Sequence, residues 1–226
     1  MHPEPATAGV ANVLVRLRAL DACAISDALD ALGLAGAALG LHCLTGRQRV
    51  AGRAVTIDLV EAGRTDSHAR HLGTAAVDAS GTGDVLVVAH HGRTHESGWG
   101  GVLCSGAARN GVEGVIVDGA VRDVDEAADL GLPVFAATGV PVTARGRIVE
   151  RAWNVDIEMA GVTVRPGDFV LADGSGVVFV PAAEIEAVLA KAEAVAAKER
   201  AMVAKVREGT PMVDVMGADY ENLLKG

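Results

Sequence analysis

The chain has 226 residues, half of them hydrophobic, enough for one substantial core and hence a single domain over 1–226. A formal net charge of −9 without any lysine or arginine run, and an aromatic content of only 3%, exclude the footprint of a nucleic-acid or anionic-membrane binder. Cys23, Cys43 and Cys104 are odd in number and widely spaced, which excludes a disulfide scaffold and a zinc-finger pattern; with no export signal in MHPEPATAGVANVL and no membrane-length apolar stretch, the expected setting is a reducing cytoplasm.

Taken in chain order, Val13 to Gly33 reads as a pair of amphipathic helices, with Ser26 or Asp27 able to start the second and Gly33 to end it. Asp27 and Asp30 are read as dipole-stabilising acids rather than metal ligands. Ala54 to Val60 alternates apolar and polar residues as a strand does, and Asp84 to Ala89 continues as a buried strand after a turn at Gly81 and Gly83. Ser67 to Val77 reads as a small-residue helix bearing His68, Arg70 and His71, of which Arg70 is a weak substrate candidate. The second half alternates short strands and turns: Ile148 to Val149, Val155 to Met159, Val162 to Val164, Phe169 to Ala172 and Val177 to Val180, expected to pair antiparallel. Ala182 to Arg207 lacks glycine and proline and predicts one long helix, the start of a helical extension over 182–226. At about 1.5 Å per residue, roughly 25 residues span nearly 40 Å, so either a neighbouring subunit or the chain's own body can receive it.

Chemistry concentrates between Gly100 and Pro133. Val115 to Val117 is a β-branched run bracketed by Gly114 and by Asp118 with Gly119, which reads as a buried strand ending in a turn. Beyond it, Asp123, Glu126 and Asp129 recur every third residue ahead of Leu130 and Gly131, and so share one side of a short helix closed by glycine. Arg122 is suited to bidentate binding of a carboxylate or keto acid, and the adjacent Asp123 to an oxygen-loving Mg²⁺ or Mn²⁺. The competing reading is an ion pair that caps a helix start. Cys104 has no histidine at a diagnostic spacing and reads as a buried thiol, while His90, His91 and His95 flank Arg93 in a loop where a polar lining role and plain solvation are both open.

The segment GWGGVLCSGAARNGVEGVIVDGAVRDVDEAADLGLPVFA resembles the signature region of the RraA-like family, which includes class II 4-hydroxy-4-methyl-2-oxoglutarate aldolases. AGRAVTI, GDVLVV, GVTVRPGDFVLADGSGVVFVP and the tail with MGADY extend the likeness over most of the chain. The resemblance implies an α/β/β swivelling-type fold, assembled as a homotrimer or a pair of trimers, with sites at subunit boundaries. It implies that Arg122 binds the pyruvyl group, that Asp123 holds the divalent metal, and that the turn Gly100, Gly101, Val102 and Leu103 receives the substrate carboxylate on backbone amides. An acid on the terminal helix of a neighbouring subunit is matched by Glu199, with Glu193 as the alternative. Two departures stand out. The aldolase pattern has an acid where this chain has Gly101, and Glu126 is positioned in sequence to supply the missing carboxylate. No asparagine occurs from Arg64 to His71, where some aldolases offer one to the pyruvyl group.

The function so implied is a metal-dependent lyase acting on a 2-keto acid through a pyruvate enolate, by retro-aldol cleavage or by oxaloacetate decarboxylation. A lyase or hydratase on another keto acid shares that logic. Relatives named as inhibitors of ribonuclease E imply a third reading, regulation by protein contact, whereas methyl transfer is disfavoured because no glycine-rich nucleotide fingerprint is present.

Overall fold

The computed structural model describes residues 5–63 and 71–216. His68 and Arg70 therefore lie outside the described residues, and the helix expected from Ser67 is described only from Thr74 onward.

Two helices open the described chain, α1 (Pro5–Arg18) and α2 (Ala22–Ala31). The second starts earlier than expected. Asp21 is its N-cap, accepting from the Ala24 amide, so Ser26 and Asp27 sit inside the helix and cap nothing. The correction has a simple cause: Asp21 directly follows the turn at Ala19 and Leu20, so its carboxylate meets the orphan amides first. Gly33, at φ +67°, ends the helix as expected, and Leu34 N–H returns to the Leu29 carbonyl.

Short strands β1 (Ala37–Ala38) and β2 (His42–Cys43) precede the long β3 (Val50–Glu61). Then come α3 (Thr74–Ala79), β4 (Asp84–Ala89), α4 (Gly101–Arg109), β5 (Gly114–Val121), α5 (Val124–Asp129) and β6 (Val134–Gly139). The second half adds β7 (Ile148–Trp153), β8 (Ile157–Met159), β9 (Val162–Val164), β10 (Phe169–Asp173) and β11 (Gly176–Val180), followed by a 3₁₀ turn (Ala182–Glu184) and α6 (Ile185–Arg207).

Among the described residues, nine strands form one sheet in the order β1-β11-β10-β3-β4-β5-β6-β2, with β7 also paired to β3. The centre, β3 to β6, is parallel, and the flanks are antiparallel. Antiparallel pairing in the second half holds for β8 with β9 and β10 with β11, but β7 joins the far half of β3 instead of its sequence neighbours. β8 is shorter than the expected Val155 start because the Thr56 hydroxyl donates to the Val155 carbonyl at 2.6 Å and accepts its N–H at 3.1 Å.

Side-chain alternation builds three layers. On β4, Leu86 and Val88 face α3, α4 and α5, while Val85, Val87 and Ala89 face the β8–β9 hairpin. On β10 and β11, Phe169, Leu171, Val178 and Val180 lie under α1, α2 and α6. Burial on both faces explains why β4 and β5 read as continuous apolar runs. Each fully buried Val, Leu or Phe here contributes roughly 1.5–3 kcal/mol. The fold is thus the expected α/β/β arrangement with a long C-terminal helix. That helix divides in two: Ile185, Val188, Leu189, Ala192, Val195 and Ala196 are buried, whereas Val203 and Val206 are 47% and 38% exposed. Among the described residues no helix is long and apolar enough to cross a membrane.

Candidate active site

Parallel strands β4 and β5 end side by side, and in such sheets ligands bind beyond the carboxyl ends of the strands. The segment after β4 runs along the end of β5: Ala120 N–H donates to Arg93 O at 2.8 Å, Gly98 N–H to Ala120 O at 2.8 Å, and Arg122 N–H to Trp99 O at 3.0 Å. This close approach needs glycine. A Cβ at Gly119 would lie 2.6 Å from Arg93 O, and one at Gly98 would lie 2.8 Å from the His90 ring.

His90 is fully buried between them, its Nε2 2.9 Å from the Glu96 carbonyl, and burial pushes its pKa below the ordinary value. His91 Nε2 sits 2.8 Å from Asp58 on the opposite side of the strand ends, and His95 is exposed. Arg93 donates to the His90 carbonyl at 3.0 Å and pairs with Glu61 at 3.7 Å. None of the three histidines lines the cavity described next.

Arg122 and Asp123 leave β5 together. Asp123 takes the left-handed conformation, φ 57°, which a short polar side chain tolerates better than most. Its Oδ2 accepts the Gly101 N–H at 2.8 Å and sits 3.2 Å from Arg122 Nε. Gly100, the N-cap residue of α4, has no side chain to cap with, so Asp123 performs that task from the next loop. The expected single acidic side of a helix is corrected here. Asp123 precedes α5 and turns to α4, while Glu126 and Asp129 lie within α5.

Gly100 and Gly101 lie against the side chains of this loop. A Cβ on Gly100 would lie 3.0 Å from Asp123 Oδ2 and 3.1 Å from Arg122 Nε, and one on Gly101 would lie 2.1 Å from Glu126 Oε2. Arg122, Asp123, Glu126 and the α4 N-terminus thus form one constellation. Because Gly101 N–H is taken by Asp123, the first-turn amides without a protein partner among the described residues are those of Val102 and Leu103.

A cavity of about 340 Å³ opens at this point, lined by Gly100, Gly101, Val102, Leu103 and Arg122 together with Trp99 and Arg145. Trp99 and Arg145 went unanticipated; the only signal was a basic TARGR loop in an acidic chain. Cys104 is buried behind the helix turn, and desolvation pushes its thiol up to about 11.

Glu199 is not brought to this constellation within the chain. It lies on α6 beside α2, where burial first, and then the charges of Asp27 and Asp21, raise its carboxyl pKa. Glu193, the alternative, is committed elsewhere: Arg16 grips it through Nε at 2.7 Å and a terminal nitrogen at 2.9 Å, which lowers its pKa. Asp123 and Glu126 are the carboxylates available to a divalent ion near Arg122. Among the described residues no group of three or more His, Cys, Asp and Glu side chains forms a cage. Mg²⁺ is commonly held by one or two carboxylates plus waters and substrate, and the donors around Asp123 fit that pattern.

Comparison with known proteins agrees with this architecture. A protein from Alcanivorax borkumensis with the provisional name 4-hydroxy-4-methyl-2-oxoglutarate aldolase is 38% identical over 64% of this chain and 86% of its own. Protein DlpA of Legionella pneumophila is 31% identical over 80% of this chain, which spans only 29% of that relative's length. A crystal structure of an uncharacterised Pseudomonas syringae pv. tomato protein superposes with a TM-score of 0.82 at 29% identity, covering 91% of this chain and 97% of its own. The RNA-processing inhibitor RraA from Thermus thermophilis gives 0.54 at 29% identity, covering 65% and 85%. The family model described as RraA-like, Aldolase/RraA, matches residues 22–179, and the chain belongs to that family.

Proposed function

We propose that the protein is a divalent-metal-dependent carbon–carbon lyase that cleaves a 2-keto acid through a pyruvate enolate. The observation that supports this most directly is a cavity lined by Arg122 and by Val102 and Leu103, whose amides have no protein partner among the described residues, with Asp123 adjoining it through Arg122 and Gly101. The substrate's C1 carboxylate docks on those amides at the positive end of α4. With Nε turned to Asp123, the terminal nitrogens of Arg122 remain for the keto oxygen. A bound Mg²⁺ or Mn²⁺ would supply Lewis acidity at the same oxygen, held through Asp123.

For a 4-hydroxy-4-methyl-2-oxoglutarate-type substrate, a water held by Glu126 takes the C4 hydroxyl proton. The C3–C4 bond then breaks, its electron pair forms the C2–C3 double bond, and negative charge collects on the C2 oxygen beside Arg122. The same water returns the proton to C3, releasing pyruvate. Oxaloacetate follows the second half of this course, losing CO₂ from C4. Glu126 serves as the carboxylate that other aldolases carry at the position of Gly101, and a lyase or hydratase on another keto acid would use the same groups.

The homotrimer or hexamer is part of the proposal. Glu199, unclaimed by any cation among the described residues and half-buried beside α2, just before the exposed end of α6, would complete the site of a neighbouring subunit. Three free thiols suit a reducing cytoplasm.

The test is pyruvate release from oxaloacetate and from 4-hydroxy-4-methyl-2-oxoglutarate by EDTA-treated protein, with and without Mg²⁺ or Mn²⁺, and with Arg122→Ala. Metal-dependent release abolished by the substitution is expected; no release under any metal sinks the reading. Similarity to a structure named as an RNA-processing inhibitor favours a second reading, regulation of a ribonuclease by protein contact. Arg122→Ala would leave such inhibition intact.

A further inference from the structure

The cavity beside Arg122 has a second basic wall. The loop joining β6 to β7 contributes Thr143, Ala144 and Arg145 to its lining. This loop is held in place. Ala144 is buried in the core under α4, its carbonyl accepts from Arg147 and Ile148 N–H at 2.8 and 2.9 Å, and Ser97 N–H donates to Val142 O at 2.9 Å. Arg145 N–H is fixed in turn by the Thr143 hydroxyl at 3.2 Å.

Ion pairs among the described residues engage Arg16, Arg18, Arg49, Arg53, Arg93, Arg122, Arg151 and Arg165, but not Arg145. Arg145 is exposed and brings a second guanidinium to the wall of a cavity that already holds Arg122. Asp123 and Glu126 lie beside Arg122, whereas Arg122, Arg145 and the positive end of α4 line the cavity itself, which so offers a cation to each of two separate carboxylates.

We infer that Arg145 is a specificity-determining residue that receives the distal carboxylate of a 2-oxo dicarboxylate whose keto-acid end docks at Arg122. The inference rests on the keto-acid reading of the Arg122 site. Arg145 touches neither the keto oxygen nor the bond that breaks; it selects substrates with two acid groups over those with one.

The experiment is calorimetric titration with 2-oxoglutarate and with pyruvate in the presence of Mg²⁺, for the wild-type chain, Arg145→Gln, Arg145→Lys and Arg147→Gln. Wild type should bind 2-oxoglutarate roughly tenfold more tightly than pyruvate, the gain of one added charge-assisted pair. Arg145→Gln should erase that preference, and Arg145→Lys should recover part of it. Arg147→Gln, on the same loop but off the cavity, should keep it. Equal binding of the two acids by wild type, an undiminished preference in Arg145→Gln, or an equal loss in Arg147→Gln overturns the assignment. If the preference depends on Arg145 but no pyruvate is ever released from oxaloacetate, the binding role stands and the lyase reading falls. Turnover with a preference indifferent to Arg145 has the opposite meaning.

Discussion

The Glu126 carboxylate fills the space into which a side chain at Gly101 would grow, with Oε2 2.1 Å from the ideal Cβ position. The two positions therefore compete for one volume, and an acid can be delivered there from either. We expect Glu126→Ala to lower turnover by roughly 10²-fold, the usual loss on removing a general acid–base group. The double variant Gly101→Asp with Glu126→Ala should regain part of it, whereas Gly101→Asp alone should be impaired by crowding. Steady-state rates of pyruvate release check this; full activity in Glu126→Ala would remove that residue from the chemistry.

Asp123 carries two duties that substitution can separate. Asparagine retains an oxygen able to accept the Gly101 N–H but not the charge that attracts a metal, so Asp123→Asn should keep the melting temperature and lose metal-dependent turnover. Asp123→Ala should lose both, with a stability cost of about 0.5–2 kcal/mol for the missing cap. Thermal melts beside metal titrations separate the two outcomes.

Glu193 and Glu199 should behave oppositely. Glu193 is partly exposed and paired with Arg16, so Glu193→Ala should cost at most about 1 kcal/mol and leave turnover intact. Glu199→Ala should abolish turnover in a normally assembled protein. Refolding a mixture of Glu199→Ala and Arg122→Ala chains should then restore some activity, because a mixed assembly contains sites lacking neither group. No recovery would mean that the two residues do not meet across subunits.

His90 sets a pH dependence of stability. Its folded pKa lies below the ordinary value of about 6.5, so the unfolded chain binds the proton first as pH falls. The stability is present above about 6.5 and is lost as pH drops toward the folded value, by roughly 2–4 °C in melting temperature per kcal/mol for a chain of this size. Asp118, raised by burial, acts with the opposite sign, since its contribution is lost as pH rises through its folded pKa. An imidazole NMR titration in which His90 protonates at or above the ordinary value would contradict the assignment.

Legibility in the sequence followed burial and local geometry. β4 was readable to its bounds because a strand buried on both faces must be apolar throughout, and α6 because nothing in Ala182 to Arg207 interrupts a helix. The start of α2 was misread because Asp21, Ser26 and Asp27 are all chemically competent caps, and only the preceding turn selects among them. Arg122 and Asp123 stood out because a charged pair at the end of a buried strand is locally unusual. The direction of the Asp123 carboxylate did not, since it depends on a left-handed backbone and an amide 22 residues away. Arg145 was invisible for a related reason: its loop has no periodicity, and the cavity it lines is made by elements distant in sequence.

The bond from Gly101 N–H to Asp123 makes one carboxylate a mechanical joint between α4 and the end of β5. A ligand that draws this carboxylate toward itself must loosen the first turn of the helix, and one that leaves it in place must adapt to a rigid cleft. The exchange rate of the Gly101 amide proton is therefore a built-in gauge of occupancy. It reads engagement at Asp123 without any need for turnover.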